Sequence, residues 1–101
     1  MTIQHPAKDQ LELSAVLHAL SDPQRLQVVR VLAKGTTPRR CGSFGLPVTK
    51  STATHHFRVL REAGVIEQRE EGTARLNSLR REDLDERFPG LLDAILEAVP
   101  A

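Results

Sequence analysis

Apolar residues recur at spacings of three and four in several stretches of the chain, and that periodicity predicts helices. The first stretch, residues 9–20, predicts a helix whose apolar face comprises Leu11, Leu13, Val16, Leu17 and Leu20. A second helix is predicted from Pro23 to about Lys34, because Asp22 is a suitable N-cap and proline is favoured in a first turn. Gly35 ends this second pattern.

The sharpest separation of polar from apolar positions lies in residues 50–63, which contain no glycine or proline. Thr49 is a good N-cap, and Gly64 can take the left-handed conformation that ends a helix. One face carries Ala53, Phe57 and Leu60, with His56 at its margin. The opposite face carries Ser51, Thr54, His55 and Arg58. Hydroxyls, an imidazole and a guanidinium suit base edges and phosphates, so this segment is interpreted as a recognition helix.

The segment before this helix is a weaker candidate for a short helix. Residues 39–44 are predicted to form it, although Gly42 and Gly45 both lower helical propensity. Residues 45–48 then read as a turn into the recognition helix. A short helix, a turn and a second helix with a polar outer face predict a helix-turn-helix.

A β-hairpin is predicted directly after the recognition helix. Residues 65–69 have strand character, residues 70–73 favour a turn, and residues 74–79 can return as a second strand. Arg69 and Arg75 flank the predicted tip, where a glycine would allow close approach to a phosphate backbone. The hairpin is therefore interpreted as the wing of a winged helix.

The C-terminal part carries apolar residues at helical spacing, namely Leu84, Phe88, Leu91, Leu92, Ile95, Leu96 and Val99. Because Pro89 interrupts the pattern, a turn is predicted at residues 82–87 and a helix at residues 89–99. The first and last helices carry more apolar surface than a core of this size needs, which favours a homodimer. The candidate interface residues are Leu13, Leu17, Leu92, Ile95 and Leu96. The alternative is that these helices only complete the core of a monomer.

The predicted fold is therefore mainly α (α+β), a winged helix-turn-helix with about five helices and a two-stranded wing. A chain of 101 residues makes one domain, predicted at residues 9–99 after a flexible N-terminus at residues 1–8. Neither a membrane-spanning run nor a signal-peptide layout is found, so the expected location is the cytoplasm.

The net charge of +1 conceals an uneven distribution. Residues 39–81 contain nine basic and four acidic side chains, whereas the remainder contains five basic and nine acidic ones. A basic middle between acidic ends indicates that a polyanion docks on one side. Ordinary solvated charge is the alternative explanation.

The sequence offers little for other kinds of chemistry. No phosphate loop follows a strand, no carboxylates are paired in an apolar setting, and Cys41 has no partners at catalytic spacing, so no enzyme and no cofactor are predicted. His55 and His56 are adjacent and diverge by about 100° on a helix, so they cannot chelate one ion. Cys41 lies beside two arginines and is a candidate sensor thiol, although a lone cysteine is commonly a small buried apolar residue. Besides DNA binding and catalysis, a third hypothesis is a winged helix that serves as a protein interaction module.

Two segments resemble the ArsR (arsenic-repressor) family of winged-helix regulators. They are HALSDPQRLQVVRVLAKG at 18–35 and KSTATHHFRVLREAGVI at 50–66. The resemblance covers roughly residues 10–99 and implies a homodimeric regulator, usually a repressor, that binds double-stranded operator DNA of palindromic type. By position in the family, Ser51, Thr54 and His55 would contact bases or phosphates, and Arg58 a phosphate. The full candidate set for DNA binding is Lys50, Ser51, Thr52, Thr54, His55, Arg58, Arg69 and Arg75.

The sequence departs from the family at both of its familiar metal sites. The Cys-x-Cys pair of metal-sensing members aligns with Pro38 and Arg40 here, with Cys41 displaced by one position. A second metal site of the family uses Asp and His on the last helix, paired across the dimer. Residues 80–101 contain no histidine, so this site is missing as well. No regulatory metal is predicted, and the effector is left open.

Overall fold

The computed structural model describes residues 3–35 and 37–99. Its helices are α1 (Leu13–Ala19), α2 (Pro23–Lys34), α3 (Lys50–Glu62), α4 (Arg81–Arg87) and α5 (Leu91–Ala98). Its strands are β1 (Arg39–Arg40), β2 (Ile66–Glu71) and β3 (Ala74–Leu79), and short 3₁₀ helices cover Lys8–Gln10 and Cys41–Phe44. The mainly helical winged helix-turn-helix is confirmed, with corrections in four places.

The first helix is shorter than the apolar spacing predicts. The chain forms a 3₁₀ turn at Lys8–Gln10, where the Gln10 side chain accepts a hydrogen bond from the Ala7 N–H at 2.8 Å. It is then extended at Leu11 and Glu12, and α1 begins at Leu13. The extended backbone at these two residues places the Leu11 side chain in the core, where it is 1% exposed. Burial of this side chain therefore stabilises the break more than a continuous helix would.

The bounds of α2 are as predicted, because local signals set them. The Asp22 carboxylate accepts hydrogen bonds from the backbone N–H of Gln24 at 2.8 Å and of Arg25 at 3.3 Å. Burial alone would raise the pKa of Asp22, but these two hydrogen bonds, together with the neighbouring His56 and Arg25 side chains, outweigh it and hold the pKa below its ordinary value. The carboxylate is therefore ionised at neutral pH and caps the helix.

The sheet has three strands in the order β1-β3-β2, not two. Arg39 pairs with Asn77 and Arg40 with Leu76, so the helix predicted at residues 39–44 is a strand followed by a 3₁₀ turn. The Asn77 side chain donates to the Arg39 carbonyl at 3.0 Å, which holds this short strand against β3. The wing strand β2 also continues to Glu71, so the turn at its tip is only Gly72 and Thr73.

The C-terminal region contains a helix where a turn was predicted at residues 82–87. Helix α4 forms because Leu84 is buried on its inner side and the Arg80 guanidinium donates to the Asp83 carboxylate at 2.9 and 3.1 Å. The last helix begins at Leu91 and not at Pro89, since Gly90 lies at its N-cap with φ of 82°.

The core joins the helices to the wing strands. Its most enclosed members include Val28, Val29, Leu60, Val65 and Ile66, each with no exposed surface. None of the helices in the described residues has the length and apolar composition of a transmembrane span.

The interface candidates on the terminal helices are not equally exposed. Leu13 and Leu17 are 47% and 45% exposed, whereas Leu92 is only 3% exposed and packs within the core of its own subunit. Ile95 and Leu96 are half-buried against the core. Leu92 is therefore a poor probe of an interface, since replacing it would disturb the subunit itself.

Candidate nucleic-acid interface

Helix α3 is anchored by its apolar side and capped by Thr49. His56, Phe57 and Leu60 are buried beneath it. The Thr49 hydroxyl oxygen accepts from the Thr52 N–H at 3.3 Å and lies 3.0 Å from the Thr52 hydroxyl. Thr52 is thus engaged in the helix cap.

The outward side of α3 presents the predicted polar residues. Ser51, Thr54, His55 and Arg58 are all exposed. The Thr54 hydroxyl donates to the Lys50 carbonyl at 2.9 Å, so its proton is used within the helix. Within residues 3–35 and 37–99, the side chains of His55 and Arg58 have no hydrogen-bond or ion-pair partner. The imidazole and the guanidinium are therefore available to a ligand.

A buried polar cluster fixes α3 to α2. Arg25 is 7% exposed, and its Nε donates to the Ala19 carbonyl at 2.6 Å. Its Nη1 lies 3.2 Å from Nδ1 of His56, and because arginine only donates, Nδ1 is the acceptor. His56 is also 4.0 Å from the Asp22 carboxylate. His56 is thus a packed, hydrogen-bonded histidine, as its position at the margin of the apolar face predicts.

Both wing arginines have carboxylate neighbours on the wing itself. Arg75 Nη2 lies 3.2 Å from Glu70, its partner across the β2–β3 ladder, and Arg69 Nη2 lies 3.4 Å from Glu71. All four side chains are at least 41% exposed, so these pairs are weak and open to exchange.

A basic cleft of about 530 Å³ lies between α3 and the wing. Its five cationic side chains are Arg40, Lys50, Arg58, Arg61 and Arg75. None of the described residues that line it is acidic. The sequence analysis did not predict Arg40 or Arg61 at this site. Arg40 reaches the cleft only through the pairing of β1 with β3. Arg61 could have been predicted, because its helical spacing from Arg58 places it near the same side of α3.

A network of amide side chains underlies the cleft. Gln68 is 3% exposed and Asn77 is fully buried, and Gln68 Nε2 donates to Asn77 Oδ1 at 2.8 Å. Arg61 of α3 donates to Gln68 Oε1 at 2.9 Å. Asn77 Nδ2 lies 3.2 Å from Sγ of Cys41, which is half-buried. The network therefore joins the wing to the recognition helix. The sensor role of Cys41 is not tested by these contacts and stays a prediction.

The described part of the N-terminal segment lies against the wing. The imidazole Nε2 of His5 accepts from the Gln68 N–H at 2.9 Å, and Arg80 donates to the Pro6 carbonyl at 2.8 Å. Burial lowers the pKa of His5, although nearby Glu67 acts in the opposite direction, and this favours the neutral imidazole that can accept. Residues 1 and 2 of the predicted flexible segment lie outside the described residues.

In the part of the chain that the structure describes, no three His, Cys, Asp or Glu side chains converge to hold a metal ion. The absence of a regulatory metal stays a prediction, since only binding measurements can test it.

Comparison with known proteins gives matches of sequence and of fold. A family model described as the arsR family of bacterial regulatory proteins matches residues 22–68. The uncharacterized HTH-type transcriptional regulator YceK of Bacillus subtilis (strain 168) is 34% identical over 82 residues, which are 79% of this chain and 82% of YceK.

Two solved structures share the fold. The transcriptional repressor BigR from Xylella fastidiosa superposes with a TM-score of 0.66 at 24% identity, over 88% of this chain and 87% of BigR. A homodimeric winged helix-turn-helix DNA-binding domain from Mycobacterium bovis, a possible ArsR-family transcriptional regulator, has a TM-score of 0.66 at 26% identity. That match covers 84% of this chain and 78% of the domain. Taken with the family model and the similarity to YceK, these matches show that the chain belongs to the arsR family of bacterial regulatory proteins.

Proposed function

We propose that this chain is a transcriptional repressor that binds a palindromic operator as a homodimer. The observation that carries the proposal is the exposed face of α3, where His55 and Arg58 are unpaired among the described residues and Ser51 lies beside them. In a winged helix such a face enters the major groove, where hydroxyl and imidazole groups meet base edges. Because the chain belongs to a family of regulatory proteins, no catalytic activity is proposed. The proposed site of action is the cytoplasm.

The basic cleft supplies the contacts to the DNA backbone in this arrangement. Lys50 and Arg58 on α3 and Arg40 on β1 are exposed, and no carboxylate among the described residues neutralises them. Backbone contacts of this kind fix the position of the protein on DNA, whereas base contacts select the sequence.

The proposal is tested by selecting sites from a random pool of double-stranded DNA with the full chain. The enriched sites should be inverted repeats whose half-sites are centred about one helical turn apart. Affinity for such a site should fall steeply with salt, because each phosphate contact releases counterions, with a log–log slope of about −0.9 per contact. An unenriched pool, or an affinity that is flat in salt, contradicts DNA binding.

Two single variants separate affinity from specificity in the same assay. Arg58→Ala should weaken selected and scrambled DNA about equally, because its guanidinium is expected on a phosphate. Ser51→Ala should instead reduce discrimination, by about 1 to 3 kcal/mol if it contacts a base.

Two observations support the proposed homodimer. Helix α1 exposes two leucines, and the similar domain from Mycobacterium bovis is itself homodimeric. Leu13 and Leu17 lie one helical turn apart on α1 and are the large exposed hydrophobic residues of the described chain. An exposed apolar pair of this kind is suited to a two-fold contact.

Replacing Leu13 and Leu17 together with glutamate should give a folded monomer in sedimentation, because four charges would meet in the interface. Operator affinity should fall about 100-fold, since the two recognition helices would no longer bind as one unit. Ser14→Glu with His18→Glu is a matched control on the neighbouring face of α1. A dimer that survives the leucine changes places the interface elsewhere.

The wing carboxylates should restrain DNA binding. Changing Glu70 and Glu71 together to glutamine is expected to raise operator affinity about threefold to tenfold, because it releases Arg75 and Arg69 and removes repulsion from phosphates. Fluorescence anisotropy with a labelled operator measures the change. Asp9→Asn with Glu82→Gln removes the same charge from exposed positions away from the wing. An equal gain in both double variants would mean that only the net charge matters.

A further inference from the structure

The basic cleft opens beside a second, more apolar space. This hollow of about 360 Å³ is lined by Gly45, Leu46, Val48 and Ala53. The cleft and the hollow share five lining residues, which are Cys41, Gly42, Lys50, Thr54 and Phe57. They are therefore neighbouring parts of one concave site, and each has a volume typical of small-molecule sites.

The two parts differ in chemistry. The cleft holds five cations, of which only Arg75 has a carboxylate neighbour among the described residues. Arg61 also has a buried Nε–H with no hydrogen-bond partner in the described chain. The hollow has Leu46, Val48 and Ala53 half-buried along its walls. A ligand that satisfies both parts needs an anionic group at one end and an apolar body at the other.

We propose that the cleft and the hollow together bind a small organic anion, a carboxylate or phosphate on an apolar body, which competes with DNA. The anionic group lies among Arg40, Arg58 and Arg61, and the apolar body lies against Leu46, Val48 and Phe57. The hollow distinguishes this ligand from the nucleic acid, because a phosphate of the DNA backbone carries no apolar body of its own to fill it.

Competition follows because the same cations serve both ligands. Lys50, Arg58 and Arg75 line the cleft and belong to the proposed DNA-binding surface. An anion held there occupies the backbone contacts directly, and release of DNA then requires no rearrangement of the dimer. This step rests on the proposed function, whereas binding of the anion to the free chain does not.

The probe for the test is 2-naphthoate, titrated into the full chain without DNA and followed by amide NMR shifts. Saturable binding is expected, with the largest shifts around Gly42, Ala53 and Phe57. Acetate, which lacks the apolar body, and 2-naphthylmethanol, which lacks the charge, should each bind at least about tenfold more weakly. Undetectable binding of 2-naphthoate, or equal binding of the neutral alcohol, overturns the proposal.

Two variants locate the site. Ala53→Leu should fill the hollow, and Arg40→Gln should remove one cation, and each should weaken 2-naphthoate binding about tenfold. Lys34→Gln removes the same charge from a residue that lines neither space and should change nothing. If Ala53→Leu fails to fold, the exposed Arg40 still gives a reading. Unchanged binding in the folded variants overturns the assignment.

The last measurement is displacement of a labelled operator from the dimer by 2-naphthoate, with acetate at equal concentration as the ionic control. Displacement is expected in the natural chain and about tenfold less in Ala53→Leu, whose DNA affinity should be retained. Binding without displacement overturns the competition. If no operator is bound at all, the proposed function fails, while the titration of the free chain still decides whether the anion site exists.

Discussion

Replacing Arg25 with alanine should lower the free energy of unfolding by about 2 to 6 kcal/mol, at about 1 to 3 kcal/mol for each buried acceptor left without a donor. The guanidinium is 7% exposed and donates to the Ala19 carbonyl and to His56, so its removal leaves two buried acceptors without a donor. It also removes a cation beside the Asp22 cap. Urea denaturation followed by far-UV circular dichroism measures the change.

Gln27→Ala is the control for this loss, because Gln27 lies on the same helix and its side chain makes no hydrogen bond in the described structure. Its stability should stay within about 0.5 kcal/mol of the natural chain. Arg25→Lys should fall between the two, since an ammonium keeps the charge but cannot span both acceptors. A similar stability for Arg25→Ala and Gln27→Ala would show that the buried cluster contributes nothing.

Gly64→Ala is expected to cost about 3 kcal/mol of stability, with two physical causes. Gly64 has φ of 83°, where an L side chain is strained by about 1 to 2 kcal/mol. An added Cβ would also overlap with Cδ2 of Leu11, which is 1% exposed, so this side chain would have to shift within the core. Thermal and urea unfolding both report the loss.

Gly72→Ala separates these two causes. Gly72 lies at the wing tip with φ of 63°, and an added Cβ there would meet no atom within 4 Å. It should therefore show only the backbone cost, about 1 to 2 kcal/mol. If both alanine variants lose the same stability, Leu11 must move aside without cost, and the tight packing at the end of α3 has no energetic role.

The elements that the sequence predicted best are those with signals in their own residues. Helix α2 has Asp22 at one end and Gly35 at the other, and both bounds agree with the structure. Strand β1 has no such signal, because Arg39 and Arg40 become a strand only by pairing with residues 38 and 36 positions further along the chain, respectively. Helix α4 likewise depends on burial of Leu84, which local propensity does not report.

The candidate site shows the same division. The exposed polar face of α3 follows from helical periodicity alone, and the structure places Ser51, His55 and Arg58 on it. The pairing of Arg75 with Glu70 depends on the register of β2 against β3. The burial of Leu92 could not be predicted either, because an apolar position on a helix shows that it is buried somewhere but not by which partner.

Strand β1 is paired with β3, and the Arg61–Gln68–Asn77 contacts join the wing to α3. These contacts reduce the conformational entropy that the wing would lose on binding DNA. A wing held only by its own hairpin would lose conformational entropy on binding, at about 1 to 2 kcal/mol for each backbone residue that becomes fixed. Here the wing is already joined to the recognition helix and to the strand before it. Preorganisation of this kind leaves more of the contact energy available as affinity.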